Sequence, residues 1–255
     1  MQNSATPILT FAGLLLVGCI VATDTAAGSW EDAIRTNELD AIRSLYPERS
    51  DVDQANEHGK TALMAAAAAG DAQLVEELLA AGADPTASNK LDGTVLMYAV
   101  GGGDRQIVER LLTAGVGLDG QASNGWSALM MAAAKDLGEL ITLLAGAGAD
   151  PNLPDIYGWT PLMRASYEGH RAAAEALLER PELDLDHRNR NGQNALHLAV
   201  IAGRAGMVER LLASGLPQAS DVNGHTPQSI ASELGRDDLL QMLQDAESGD
   251  ASAKR

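Results

Sequence analysis

One short phrase recurs through the chain at an almost constant interval. Thr61-Ala-Leu-Met-Ala-Ala is followed by Thr94-Val-Leu-Met-Tyr-Ala, Ser127-Ala-Leu-Met-Met-Ala, Thr160-Pro-Leu-Met-Arg-Ala and Asn194-Ala-Leu-His-Leu-Ala, then by a decayed copy, Thr226-Pro-Gln-Ser-Ile-Ala. The leading residue advances by 33, 33, 33, 34 and 32 positions. A fixed period of this size marks a stacked array, in which each unit packs only on its neighbours. The length of 255 residues would allow two compact domains, but the period makes a single elongated one.

Each unit has a second half. Leu78-Leu79, Leu111-Leu112, Leu143-Leu144, Leu177-Leu178 and Leu211-Leu212 repeat, and Gly82, Gly115, Gly148 and Gly215 follow four of them. Thr or Ser before an apolar run is a helix N-cap signal, because its oxygen accepts a free first-turn amide. Glycine after the paired leucines is the matching stop. Pro161 and Pro227 stand at a first helical position, where a missing amide costs little. Asn124-Gly125, Asn191-Gly192 and Asn223-Gly224 are tight-turn dipeptides. The pattern predicts helix, tight turn, helix and an extended stretch in every unit.

These motifs resemble the ankyrin repeat, whose signature is T-P-L-H-x-A. Thr160-Pro161-Leu162 and Leu196-His197-Leu198-Ala199 carry its two halves most literally. The resemblance implies an all-α solenoid of helix-turn-helix units joined by short β-hairpin-like turns. It covers roughly residues 29–246: an N-terminal cap (29–53), repeats at about 54–86, 87–119, 120–152, 153–186 and 187–218, and a C-terminal cap (219–246). The polar tail 247–255 is expected to be disordered. In the third repeat Asp136 replaces the turn glycine, and the turn reads as one residue short, recovered by an extra residue in Ala145–Gly148.

The N-terminus is a separate element. Ile8 to Ala22 is an apolar run of 15 residues, short for a spanning helix, which needs roughly 20, and suited to a secretory signal. Within it, Leu16-Val17-Gly18-Cys19 holds the only cysteine and resembles a bacterial lipobox. Residues 1–19 therefore read as a signal peptide, Cys19 as a lipidation site, and 20–28 as a short tether. Against this, no Lys or Arg precedes Arg35. Cleavage further on and an uncleaved anchor remain open. The expected place is the periplasm or outer cell envelope of a bacterium.

A net charge of −17 argues against nucleic acid, which requires a basic face. No enzyme site, cofactor or metal site is expected. The five histidines show no metal-ligand spacing, and there is no nucleophile elbow or phosphate loop. His197 falls at the signature histidine, which in the family bridges backbone of adjacent units. Met64, Met97, Met130 and Met163 share one repeat position and read as adaptable core filler rather than copper ligands.

The remaining signal is aromatic. Trp30 and Tyr98 fall at core positions of the repeat. Trp126 and Trp159 stand one period apart, immediately before the helix cap, with Tyr157 on the same turn and Tyr167 near the end of the inner helix. Packed helices lie about 8–10 Å apart, so the two indoles should be neighbours on one face. The resemblance implies that turn tips and inner-helix positions bind partners, which makes Trp126, Tyr157, Trp159 and Tyr167 candidate partner-binding residues. The function expected is protein–protein interaction in the cell envelope. Two other roles stay open: escort or protection of an exported enzyme, and a membrane-anchored module facing the cytoplasm.

Overall fold

The computed structural model describes residues 29–253. Cys19, the signal and the tether lie outside them. The helices come in pairs: α1 (Trp30–Thr36) and α2 (Leu39–Leu45), α3 (Ala62–Ala69) and α4 (Ala72–Ala80), α5 (Val95–Gly102) and α6 (Arg105–Thr113), α7 (Ala128–Ala134) and α8 (Gly138–Gly146), α9 (Pro161–Glu168) and α10 (Arg171–Leu178), α11 (Ala195–Ala202) and α12 (Ala205–Ala213), α13 (Pro227–Glu233) and α14 (Asp237–Ala253). First helices pack in one row and second helices in another. Among the described residues there is no strand, and the turns contribute one isolated bridge, Ser88–Thr94. No described helix is long and apolar enough to cross a membrane.

The caps explain where the inner row begins. Ser29, Thr61, Thr94, Ser127, Thr160, Asn194 and Thr226 each accept a backbone N–H three residues on. Each such cap contributes about 1 kcal/mol. Between the rows lies one continuous apolar core that includes Leu63, Leu96, Leu129 and Leu162. The four aligned methionines are buried. In the next unit His197 takes the methionine position, fully buried, and its Nε2 donates to the carbonyl of His225 at 3.3 Å, bridging two units. Burial pushes its pKa below the ordinary 6.5, so the ring is neutral near pH 7.

Three expectations are corrected. The turn at Asp136 is not short. Asp136 stands in the left-handed position (φ 57°) that Asn37 holds in the first unit and glycine in the others, and the register is unbroken. Its carboxylate repays the strain across the unit boundary: Oδ1 accepts the N–H of Ala173 at 2.8 Å, in the first turn of α10, whose own N-cap residue His170 makes no side-chain cap bond. The stretch 247–253, expected to be disordered, continues α14. Tyr98 is not a core residue. It is only half-buried, on the face of the inner row, where its hydroxyl accepts from Asn89 Nδ2 at 2.8 Å.

Candidate interaction face

The turn tips are built by one repeated device. In five of six tips an Asn or Asp side chain folds back over its own turn. Asn56, Asn89, Asp155, Asn189 and Asp221 each accept the N–H groups two and four residues ahead through Oδ1. This is the turn chemistry short polar side chains favour. In the remaining tip Ala122 replaces the acceptor, and Asn124 takes the N–H of Trp126 instead. Each tip also hangs on its predecessor: Lys90 N–H donates to His58, Ser123 to Leu91, Ile156 to Asn124, Arg190 to Tyr157 and Val222 to Asn191, all to backbone carbonyls. The stacking is tight. A Cβ added at Gly125 (φ 82°) would come within 2.7 Å of the Asp155 backbone. A rigid comb of tips therefore projects over the inner helices.

On this comb the expected aromatic residues come together, with a partner that the sequence did not suggest. Arg164, on α9, places its guanidinium 5.3 Å from the Trp126 ring centroid and 4.6 Å from that of Trp159. The indoles are thus linked through a cation, an arrangement stabilised by the ring quadrupoles. A guanidinium oxygen partner is also present: Asp155 Oδ2 lies 3.6 Å from Arg164. Tyr167 meets Trp159 edge to face, centroids 5.3 Å apart and planes at 64°. Tyr157 stands apart from these stacks and is 63% exposed. Trp159 and Tyr167 lean on the core, so they are less free than a turn-tip position suggests.

Arg164 could have been found by laying the units side by side. Its inner-helix column reads Ala65, Tyr98, Met131, Arg164, Leu198, Ile230. One cation in an otherwise uncharged column, facing two tryptophans, is the readable signal. Tyr157, Trp159, Arg164, Tyr167, Arg190 and Asn191 line a depression of about 520 Å³. It offers ring faces, an exposed phenol and two guanidinium groups, which suit an aromatic or carboxylate-bearing ligand. Among the described residues no group of three or more His, Cys, Asp or Glu is placed to hold a metal.

The two rows of helices and the projecting comb define a helical-repeat scaffold with a preformed recognition face. A family model described as Ankyrin repeats (3 copies) matches residues 31–119, 96–189 and 181–254. The chain belongs to the ankyrin-repeat family. Ankyrin repeats mediate protein–protein interaction, and proteins built from them are typically non-enzymatic scaffolds. No curated protein matches the chain.

Proposed function

We propose that the protein binds a protein partner through the inner face around Trp126, Tyr157, Trp159, Arg164 and Tyr167, and that it does so in the bacterial cell envelope, tethered by lipid on Cys19. The observation that carries the binding site is the Trp126–Arg164–Trp159 stack with Tyr157 exposed beside it. Trp, Tyr and Arg are the residues that dominate binding energy at interfaces. Fixed tips lose little entropy on binding. The anchor rests on the lipobox-like Leu16–Cys19 within an apolar run of 15 residues.

Affinity capture from envelope extracts tests the site. Tyr157→Ala with Trp126→Ala should weaken a specific partner by more than about 2 kcal/mol, a hot-spot loss, while thermal melts show a smaller change. A partner held equally well by the double variant contradicts the assignment. For the anchor, Cys19→Ser should abolish membrane association and leave unprocessed precursor. An unmodified mature N-terminus near Gly28 would speak for ordinary signal cleavage instead.

A further inference from the structure

Beside the stack lies a second depression, of about 580 Å³, which no expectation from the sequence included. Its lining is mostly apolar: Leu91, Met97, Tyr98, Trp126 and Met131 with the two glycines 93 and 101. The repeat explains why it is there. Gly93 occupies the column that reads Lys60, Gly93, Trp126, Trp159, Gln193, His225. Gly101 occupies the column that reads Ala68, Gly101, Ala134, Tyr167, Ile201. Two periods later the same two positions hold Trp159 and Tyr167, which stack on each other. The depression is therefore the place where the fourth repeat puts an aromatic pair and the second puts nothing. Leu91, in the column of Tyr157, stands 67% exposed at its edge.

The charges around it are distributed unevenly for a chain of net charge −17. Of the three lysines among the described residues, Lys60, Lys90 and Lys135, two reach residues of its lining. The Lys60 ammonium lies 5.6 Å from the centre of the Tyr98 ring. Lys135 donates to the carbonyl of Gly101. Lys90 is exposed and adjoins the lining residues Asn89 and Leu91 in sequence. None of the three takes part in an ion pair among the described residues, whereas eight arginines do. Asp92 is the acidic group at this tip, and its Oδ2 is taken by the Ser123 hydroxyl at 2.9 Å.

We infer that this depression receives one aromatic side chain of a partner protein, presented by a segment rich in Asp and Glu. The inference rests on the reading of the inner face as a partner-binding surface and names what one part of it takes. The aromatic ring replaces the missing indole and phenol, packing against Tyr98, Trp126 and Met131. The flanking carboxylates meet the Lys60 and Lys135 ammonium groups, whose present acceptors, Asn37 Oδ1 and the Gly101 carbonyl, are both uncharged, an interaction that weakens with added salt.

The test uses the full chain and a random peptide library displayed on phage. Enriched peptides should carry Trp, Tyr or Phe flanked by Asp or Glu. Gly101→Tyr, which restores the fourth repeat's residue, should weaken them at least about tenfold, equivalent to about 1.4 kcal/mol. A Cβ at Gly101 meets only Met131 Sδ, at 3.4 Å, and the helix gains propensity; a thermal melt of the variant confirms that it is folded. Lys60→Glu with Lys135→Glu should weaken the same peptides by a similar factor and flatten their salt dependence. Tyr157→Ala should leave them unchanged. Enrichment of basic or non-aromatic peptides, no enrichment, or binding indifferent to Gly101→Tyr overturns the inference. Peptides lost on Tyr157→Ala but not on Gly101→Tyr overturn it while leaving the proposed face standing. Peptides with the expected sensitivities, beside a captured partner that ignores Tyr157→Ala with Trp159→Ala, would retain the pocket and remove the stack.

Discussion

In the fourth repeat Trp159 and Tyr167 fill the angle between turn tip and inner helix; in the second, Gly93 and Gly101 leave it open. The backbone beneath is the same. Asn89 and Asp155 fold over their turns with the same pair of bonds, at 2.8 and 2.9 Å in both cases. Even the left-handed position is kept, by Gly158 (φ 81°) in one and by Asp92 (φ 60°) in the other. The scaffold is thus set by side chains that fold back on their own turns. The residues that would face one are free to vary from unit to unit, and here they alternate between a filled and an empty position.

The shared scaffold is the place where the largest effects are expected. Leu111 and Leu177 are fully buried in the outer helices of the two repeats. Leu111→Ala and Leu177→Ala should each cost roughly 2–5 kcal/mol in urea unfolding. Hydrogen exchange should quicken first in the damaged unit and its neighbours, because contacts are local. Uniform exchange along the chain would break the picture of nearest-neighbour units.

The turn acceptors should separate the two repeats. The Asp155 side chain is almost wholly buried and lies 3.6 Å from Arg164. Asp155→Ala strands two N–H groups and a guanidinium, and should cost about 3 kcal/mol. Asn89→Ala, at a half-buried tip beside the open pocket, should cost about 1–2 kcal/mol, since water can reach the freed groups. Equal costs, read from urea midpoints, would mean that the pocket is not open to solvent.

A smaller effect concerns pH. His197 has a folded pKa below its unfolded value of 6.5, with burial as the main cause. Below pH 6.5 the unfolded chain takes a proton that the folded chain refuses, so stability falls as pH drops through that range. His197→Met installs the residue of the four preceding units and should make stability less dependent on pH between about 6.5 and 5. An unchanged slope would place the pH dependence elsewhere. The smallest effect is expected of Asp92→Gly. It relieves a left-handed aspartate but frees the unfolded chain and removes the Ser123 bond, so the net change should be under about 1 kcal/mol. A larger loss would show that the second repeat depends on Asp92 in a way the fourth does not depend on its glycine.

Much of this is legible in the sequence. The period, the helix pairs and the inner-row caps are written in Thr61, Thr94, Ser127, Thr160, Asn194 and Thr226, because capping is local and leaves a local mark. The aromatic residues of the face were visible as well. Arg164 is legible only as the one cation in its repeat column; its role is not, since the two indoles it joins are brought to it by the fold. Asp136 misled for a similar reason: its compensation is a bond to Ala173 in the next unit. The pocket was hidden because it is made of absences. Gly93 and Gly101 gain meaning only when set against Trp159 and Tyr167, two periods away.

The central claim is that the inner face, not the outer row of helices, meets the partner. A photo-crosslinking residue placed at Tyr157, exposed on the comb, or at Glu109, exposed on α6 in the outer row, tests it directly in intact cells. The account predicts a discrete adduct from position 157 that disappears with Trp126→Ala, and none from position 109. Adducts from position 109 alone, or from both positions alike, would contradict it.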